Sequence, residues 1–174
     1  GVSTEQLDKN IDKQLYNTYM AGAEHATNAT ETKDMLGMAN RVASRLDSID
    51  LKGDYQTAIK LYLLLLQNTT DPTQRADTYY RLARAYDMSG DLNKELDTLT
   101  ALTQQYPDSP YFLEAQFRRG EMLFANSEFD TAAQAYQAVV KAGTGSFYEQ
   151  SLYKLGWSNY KLGDYNKSLD NFFA

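Results

Sequence analysis

No cysteine occurs among the 174 residues. That excludes disulfides, thiolate metal sites and a cysteine nucleophile together, and it suits an oxidising compartment without requiring one. Histidine occurs once, at His25 beside Glu24, so a zinc site with two imidazole ligands is excluded and a solvated histidine is the plain reading. The longest apolar run is Leu61-Tyr62-Leu63-Leu64-Leu65-Leu66, far short of the roughly 20 residues that span a bilayer, and it reads as a buried helix face. Cations are the minority: 17 Lys and Arg against 23 Asp and Glu give a formal charge of −6. No basic stripe dense enough for nucleic acid is present. Phosphate-cradling glycine loops and calcium-loop acid spacings are also missing, and no two carboxylates stand out as general acid and base. The chain reads as a non-enzyme without metal or cofactor.

What is present is globular in balance, 43% hydrophobic and 23% charged with three prolines, which argues against disorder. Four turns recur, at Gly53-Asp54, Gly90-Asp91, Ser127-Glu128 and Gly163-Asp164, spaced 37, 37 and 36 residues apart. Each precedes a large apolar residue (Tyr55, Leu92, Phe129, Tyr165), then Ala58, Glu95, Ala132 or Ser168, then Tyr62, Leu99, Tyr136 or Phe172. Such a period marks stacked helical units with a continuous seam. The seam row before each turn reads Arg45-Leu46, Leu82-Ala83, Arg119-Gly120 and Leu155-Gly156. Its small residue lets the second helix approach, and the acid after the turn suits that helix's N-terminus.

The segments LARAYDMSGDLNKELDTL (82–99), RRGEMLFANSEFDTAAQAY (118–136) and LGWSNYKLGDYNKSLDNFF (155–173) resemble tetratricopeptide repeats, typically of 34 residues. The resemblance covers roughly 31–174, with units two or three residues longer than that, Glu95 at a usually small position and no first-helix tryptophan. It implies an all-α fold, a right-handed α-solenoid of tetratricopeptide-type helix-turn-helix repeats. Residues 1–30 form an N-terminal capping helix and loop, and four units cover approximately 31–72, 73–109, 110–145 and 146–174. Helices are expected at 3–21, 31–52, 55–68, 73–89, 92–106, 110–126, 129–142, 146–162 and 165–174, with 22–30 a loop. The first carries a stripe of Leu7, Ile11, Leu15 and Tyr19 and is a cap or the last helix of an upstream repeat. Pro107 and Pro110 bracket the link before the sixth, one stopping a helix and one able to start the next. That link, YPDSPY…EAQFRRG, is similar to repeats of bacterial envelope proteins, the outer-membrane assembly lipoprotein and Tol–Pal-associated proteins. It predicts a periplasmic or outer-membrane-associated protein of a Gram-negative bacterium, with a cytoplasmic one as the alternative.

In this family the first helices line a concave face. The rows are Ala43, Tyr80, Phe117, Tyr153; Ser44, Arg81, Arg118, Lys154; Asp47, Arg84, Glu121, Trp157; and Asp50, Asp87, Phe124, Tyr160. Candidate partner-binding residues are therefore Tyr80, Arg81, Arg84, Phe117, Arg118, Glu121, Phe124, Tyr153, Lys154, Trp157 and Tyr160, of which all but Glu121 are aromatic or basic, with aromatics and arginine the types that dominate recognition energetics. The family's carboxylate clamp is not kept: its lysine place holds Ala43 or Tyr80 and its asparagine place Asp47 or Arg84. Same-helix acids (Asp77 for Arg81, Glu114 and Glu121 for Arg118, Asp87 for Arg84) make a satisfied surface the bland reading. Lys154 has Gln150, Ser151, Trp157 and Ser158 as helical neighbours, so no acid of its own helix pairs with it, and it is held by a ring face or left for a ligand. Trp157 and Tyr160 read slightly more as packing than as contact residues. Arg45 and Arg119 should find partners on adjacent helices.

These features predict a protein or peptide ligand on the concave face, or else a structural spacer with no ligand of its own. The pattern stops within a unit, which predicts a fragment of a longer protein that self-associates through Leu169, Phe172 and Phe173 on the last helix.

Overall fold

A computed structural model describes Gly1, residues 3–45 and residues 55–174, without the side chains of residues 44 and 45. Among the described residues there are nine helices and no strand: α1 (Thr4–Glu24), α2 (Ala29–Arg45), α3 (Tyr55–Asn68), α4 (Pro72–Ser89), α5 (Leu92–Gln105), α6 (Phe112–Ala125), α7 (Phe129–Val140), α8 (Tyr148–Lys161) and α9 (Tyr165–Phe172). Every expected helix is found, and the shifts are at the ends. The Ser3 hydroxyl accepts from Gln6 N–H at 3.2 Å and Asn28 Oδ1 from Glu31 N–H at 2.8 Å, so local caps set the starts of α1 and α2. α1 runs on to Glu24 and the expected 22–30 loop shrinks to 25–28. Pro110 does not open α6. It lies in a turn closed by Phe112 N–H to the Ser109 carbonyl at 3.0 Å. The end of the expected 31–52 helix and the Gly53-Asp54 turn lie outside the described residues.

The other three turns share one geometry. Gly90 and Gly163 both take φ +82°, and Ser127 takes +62°. The N–H of Asp91, Glu128 and Asp164 reaches back to the carbonyl of Tyr86, Leu123 and Asn159 at 3.0, 2.9 and 2.9 Å. This is the six-to-one bond that closes a helix through a left-handed residue. Asp91 and Asp164 then accept from the N–H of Lys94 and Lys167, both at 3.2 Å, starting α5 and α9.

The chain divides inside α5 into two compact units, Gly1–Glu95 and Leu96–Ala174. In the first, α1–α4 pack in succession around Tyr16, Met20, Leu36, Ala39, Val42, Ile59, Leu61, Tyr62 and Leu82. Tyr16 donates its hydroxyl to the Thr57 carbonyl at 2.9 Å, tying α1 to α3. The α1 stripe is turned out at Leu7, Ile11 and Leu15, which are exposed, whereas Tyr16, Met20 and Ala23 are buried. Lys60 of α3 pairs with Glu24, and this hydrogen bond holds the Glu24 carboxyl below its ordinary pKa.

In the second unit Leu123, Ala132, Tyr136 and Leu155 form the core, with Leu96, Phe117 and Phe124 packed against them. The small seam residues act as anticipated. A Cβ on Gly120 would stand 2.6 Å from Tyr136 Cε1, and one on Gly156 2.5 Å from Phe172 Cε1. Each ring therefore lies flat against bare backbone. Glu95 is buried at the place where Ala58, Ala132 and Ser168 are also buried.

Candidate functional site

The candidate residues fall into two groups. Tyr80, Arg81 and Arg84 stand on α4 in the first unit; the other eight stand on α6 and α8 in the second. On α4, Arg81 pairs with Asp77 at 3.1 Å, as its sequence neighbours implied, and the Arg84 guanidinium lies 6.0 Å from the Tyr80 ring centre. The row assigned to α2 needs correcting. Ala43 is buried in the core, not in a groove. Leu36, Val42 and Ala43 are buried as Ala76, Leu82 and Ala83 are, 40 residues on. The first unit is thus in register at 40, not 37, and its equivalents of Tyr80 and Arg81 are Asn40 and Arg41. Those two residues, with Lys33 and Gly37, line a cavity of about 460 Å³ whose far side carries Gln74 and Asp77 of α4. Sequence reasoning missed them because it carried the register across the turn that lies outside the described residues. The interval from Ala43 to Ala83 was the signal that could have found them.

On α6 and α8 the charges are already engaged. Tyr136 donates its hydroxyl to Glu121, and Lys154 Nζ of α8 lies 3.7 Å from the Glu121 carboxylate and 4.5 Å above the Phe124 ring. Lys154 is thus held by a ring face and by an acid of another helix, which no inspection of its own helix could reveal. Burial, then the hydrogen bond to Glu121, pushes the Tyr136 phenol well above its ordinary pKa. Arg119 does find a partner on an adjacent helix, but an uncharged one: Nε donates to Thr100 Oγ1 at 3.0 Å and Nη1 to Gln116 Oε1 at 2.7 Å. With no acid on it, burial lowers its pKa. The side chain of Arg45 lies outside what is described.

The rings divide by exposure. Phe117 and Phe124 are half-buried, the first stacked on Phe147 at 5.0 Å. On α8, Tyr153, Trp157 and Tyr160 are 56%, 36% and 48% exposed. They form an edge-on ladder, 6.3 Å from Tyr153 to Trp157 and 5.6 Å from Trp157 to Tyr160. Phe172 of α9 backs it at 5.9 Å from Tyr153 and 5.6 Å from Trp157. These side chains pack on one another and still present faces to solvent. Leu169 and Phe173 also point outward. Among the described residues no cluster of His, Cys, Asp or Glu could hold a metal ion, and no helix is long and apolar enough to cross a membrane.

An all-α chain of repeated helix pairs joined by left-handed turns, with Tyr136 and Phe172 of two second helices seated on Gly120 and Gly156 of the first, is a helical repeat protein. A sequence profile of the tetratricopeptide repeat matches residues 77–109 and 150–172, and a second profile of the same repeat matches 112–147. Together they take in more than half of the chain, which belongs to the tetratricopeptide-repeat family. No curated protein matches it. Among solved structures, MamA is similar at a TM-score of 0.58 and 15% identity over 99% of this chain and 92% of that one. The TPR-like repeats of a Podosopora anserina kinesin light chain give 0.59 and 14% over 97% and 85%. BtubC (BKLC) from P. vanneervenii gives 0.52 and 12% over 98% and 89%. At these identities the likeness is one of fold.

Proposed function

We propose that this chain is a protein-interaction scaffold that holds a partner polypeptide on its first helices, with α8 as the principal contact. One observation carries the reading. Tyr153, Trp157 and Tyr160 keep large exposed faces, while the cation beside them is engaged inside the fold by Glu121 and Phe124. Rings of this kind bring much contact area at little conformational cost and are the side chains enriched in binding hot spots. An engaged Lys154 counts against a partner recognised chiefly by its carboxylates. The test is crosslinking capture from a bacterial envelope lysate with the unaltered chain and with Tyr153→Ala/Tyr160→Ala. A partner held by the first and lost by the second supports the scaffold, and the same catch with both sinks it.

The compartment belongs to the same proposal. The link resembling envelope repeats and the absence of cysteine support a periplasmic or outer-membrane-associated setting. Fractionation of a Gram-negative host with an antibody to the native protein decides it, and recovery in the cytosolic fraction refutes it.

A further inference from the structure

One seam position breaks the pattern of its row. Val42, Leu82 and Leu155 are 4%, 3% and 2% exposed, and the remaining member, Arg119, puts a half-buried guanidinium in the same place. A charge taken out of water without a counter-charge is costly, and burial alone accounts for the lowered pKa of Arg119. Its bonds leave a definite chemistry. Nε donates to Thr100 Oγ1 at 3.0 Å and Nη1 to Gln116 Oε1 at 2.7 Å, while the Thr100 hydroxyl donates to the Leu96 carbonyl at 2.8 Å. An arginine carries N–H groups and no acceptor, so Gln116 must turn its oxygen to Arg119 and its amide nitrogen away. Among the described residues nothing accepts from Arg119 Nη2 or from Gln116 Nε2. The open valences of the cluster are thus almost all N–H, beside one uncompensated positive charge. Such a cluster suits an oxyanion of single charge, and a carboxylate matches the flat edge of a guanidinium.

Among the described residues no acid fills the place. Glu121, two residues on, is held by Tyr136 and Lys154. Asp97, one turn before Thr100, is exposed and exerts no charge effect on Arg119. At about 100° per residue, Arg119 lies roughly 140–160° around α6 from Glu121 and Phe124, which meet Lys154 of α8. The cluster is therefore separate from the exposed rings of α8 and from the last helix.

We propose that Arg119 and Gln116, braced by Thr100, form a carboxylate-binding site on the α5 side of α6, taken by an aspartate or glutamate side chain of a bound polypeptide. The guanidinium supplies the charge and its Nη2 donors, and the Gln116 amide supplies a neutral donor beside them. A phosphate dianion would bring more negative charge than one arginine balances. The carboxylate chemistry stands on the cluster alone, and the polypeptide source rests on the scaffold reading. On that reading a partner is gripped at two chemically different places, by rings on α8 and by a cation on the far side of α6.

The probe is sodium acetate, titrated into the isotope-labelled whole chain at an ionic strength held constant with chloride. The Arg119 Nε–H and the Gln116 side-chain amide are followed by NMR, with the Nε–H of Arg81, already paired with Asp77 at 3.1 Å, as the reference. A saturable shift at Arg119 is expected, half-complete at about 5–100 mM acetate, the strength of one charge-assisted hydrogen-bonded pair. Gln116→Ala should weaken it about twofold to tenfold. Arg119→Leu should abolish it and leave the urea midpoint equal or higher, since apolar residues fill this place at Val42, Leu82 and Leu155. No saturable shift at Arg119, or one matched at Arg81, overturns the site. A urea midpoint lowered alike by Arg119→Leu and Arg119→Gln also overturns it, because the guanidinium is then a brace of the fold. Tighter binding of inorganic phosphate than of acetate overturns the carboxylate assignment. The source is decided with an envelope lysate split by ultrafiltration: the retained polypeptides should perturb Arg119, and a shift caused by the small-molecule filtrate alone refutes a polypeptide carboxylate. If acetate fails while the lysate partner still depends on Tyr153 and Tyr160, this site falls and the scaffold stands. If neither responds, both fall.

Discussion

Gly120→Ala sets two known effects of opposite sign against each other. Replacing a mid-helix glycine by alanine favours the helix by about 1 kcal/mol. Here the new methyl would lie 2.6, 2.8 and 2.9 Å from three atoms of the Tyr136 ring, and carbon contacts settle near 3.5–4.0 Å. The ring must therefore retreat by about 1 Å. Tyr136 has no accessible surface to move into, and its hydroxyl is bound to Glu121, so retreat also strains a hydrogen bond to a charged group worth about 1.5–3 kcal/mol. Overpacking alone costs about 1–3 kcal/mol. The net expectation is a loss of about 1–3 kcal/mol, with overpacking and strain outweighing propensity. Gly37→Ala supplies the contrast: nothing lies within 4 Å of its Cβ position, so it should gain most of the helix term. Gly156→Ala meets a ring at 2.5 Å, but Phe172 is 37% exposed and can swing outward, so its loss should be the smaller. Urea unfolding by circular dichroism measures all three, with Trp157 emission isolating the second unit. A Gly120→Ala protein as stabilised as Gly37→Ala would refute the seam argument.

Ser127 stands at φ +62° where the sister turns use glycine, so Ser127→Gly should stabilise by roughly 1 kcal/mol, read as a higher urea midpoint. Ser151 Oγ is buried with no hydrogen-bond partner; Ser151→Ala should leave stability unchanged or raise it by up to about 1 kcal/mol, and a clear loss would show a hidden partner. The phenols of Tyr136 and Tyr62 are both raised above 10.0, chiefly by burial. They stay neutral in the fold while the unfolded chain ionises, so stability should be intact below pH 10.0 and fall as pH rises beyond it. Tyr136→Phe should flatten part of that alkaline slope in pH-dependent unfolding, and an unaltered slope would contradict the assignment. Lys154→Glu places two carboxylates together at Glu121 and should shift the urea midpoint down, an effect that Glu121→Lys in the same chain partly reverses.

Helix number and pairing were legible because glycine turns and apolar spacing are local signals, and the three described turns keep the geometry that such spacing implies. The close helix approach at Gly120 and Gly156 was legible too, since a small residue recurs at equal offsets in the two units. Two things were not. The register of α2 was carried at the 37-residue period where burial gives 40, and that three-residue difference moved Ala43 from core to groove and hid Asn40 and Arg41. The engagement of Lys154 depends on which face of α6 meets α8, a tertiary fact that same-helix neighbours do not encode. For the same reason Glu121 looked like a groove acid when Tyr136 and Lys154 already hold it.

On one turn of α8, Lys154 reaches back to Glu121 while Tyr153 looks outward. Each first helix in such an array is guest to the unit before it and host to whatever follows. Heredity should then act on adjoining positions at different tempos. Position 154 is free to drift only in step with 121, whereas on the proposed reading 153, 157 and 160 answer to a bound partner. Lineages that change partner would rewrite one edge of the helix and leave the other untouched.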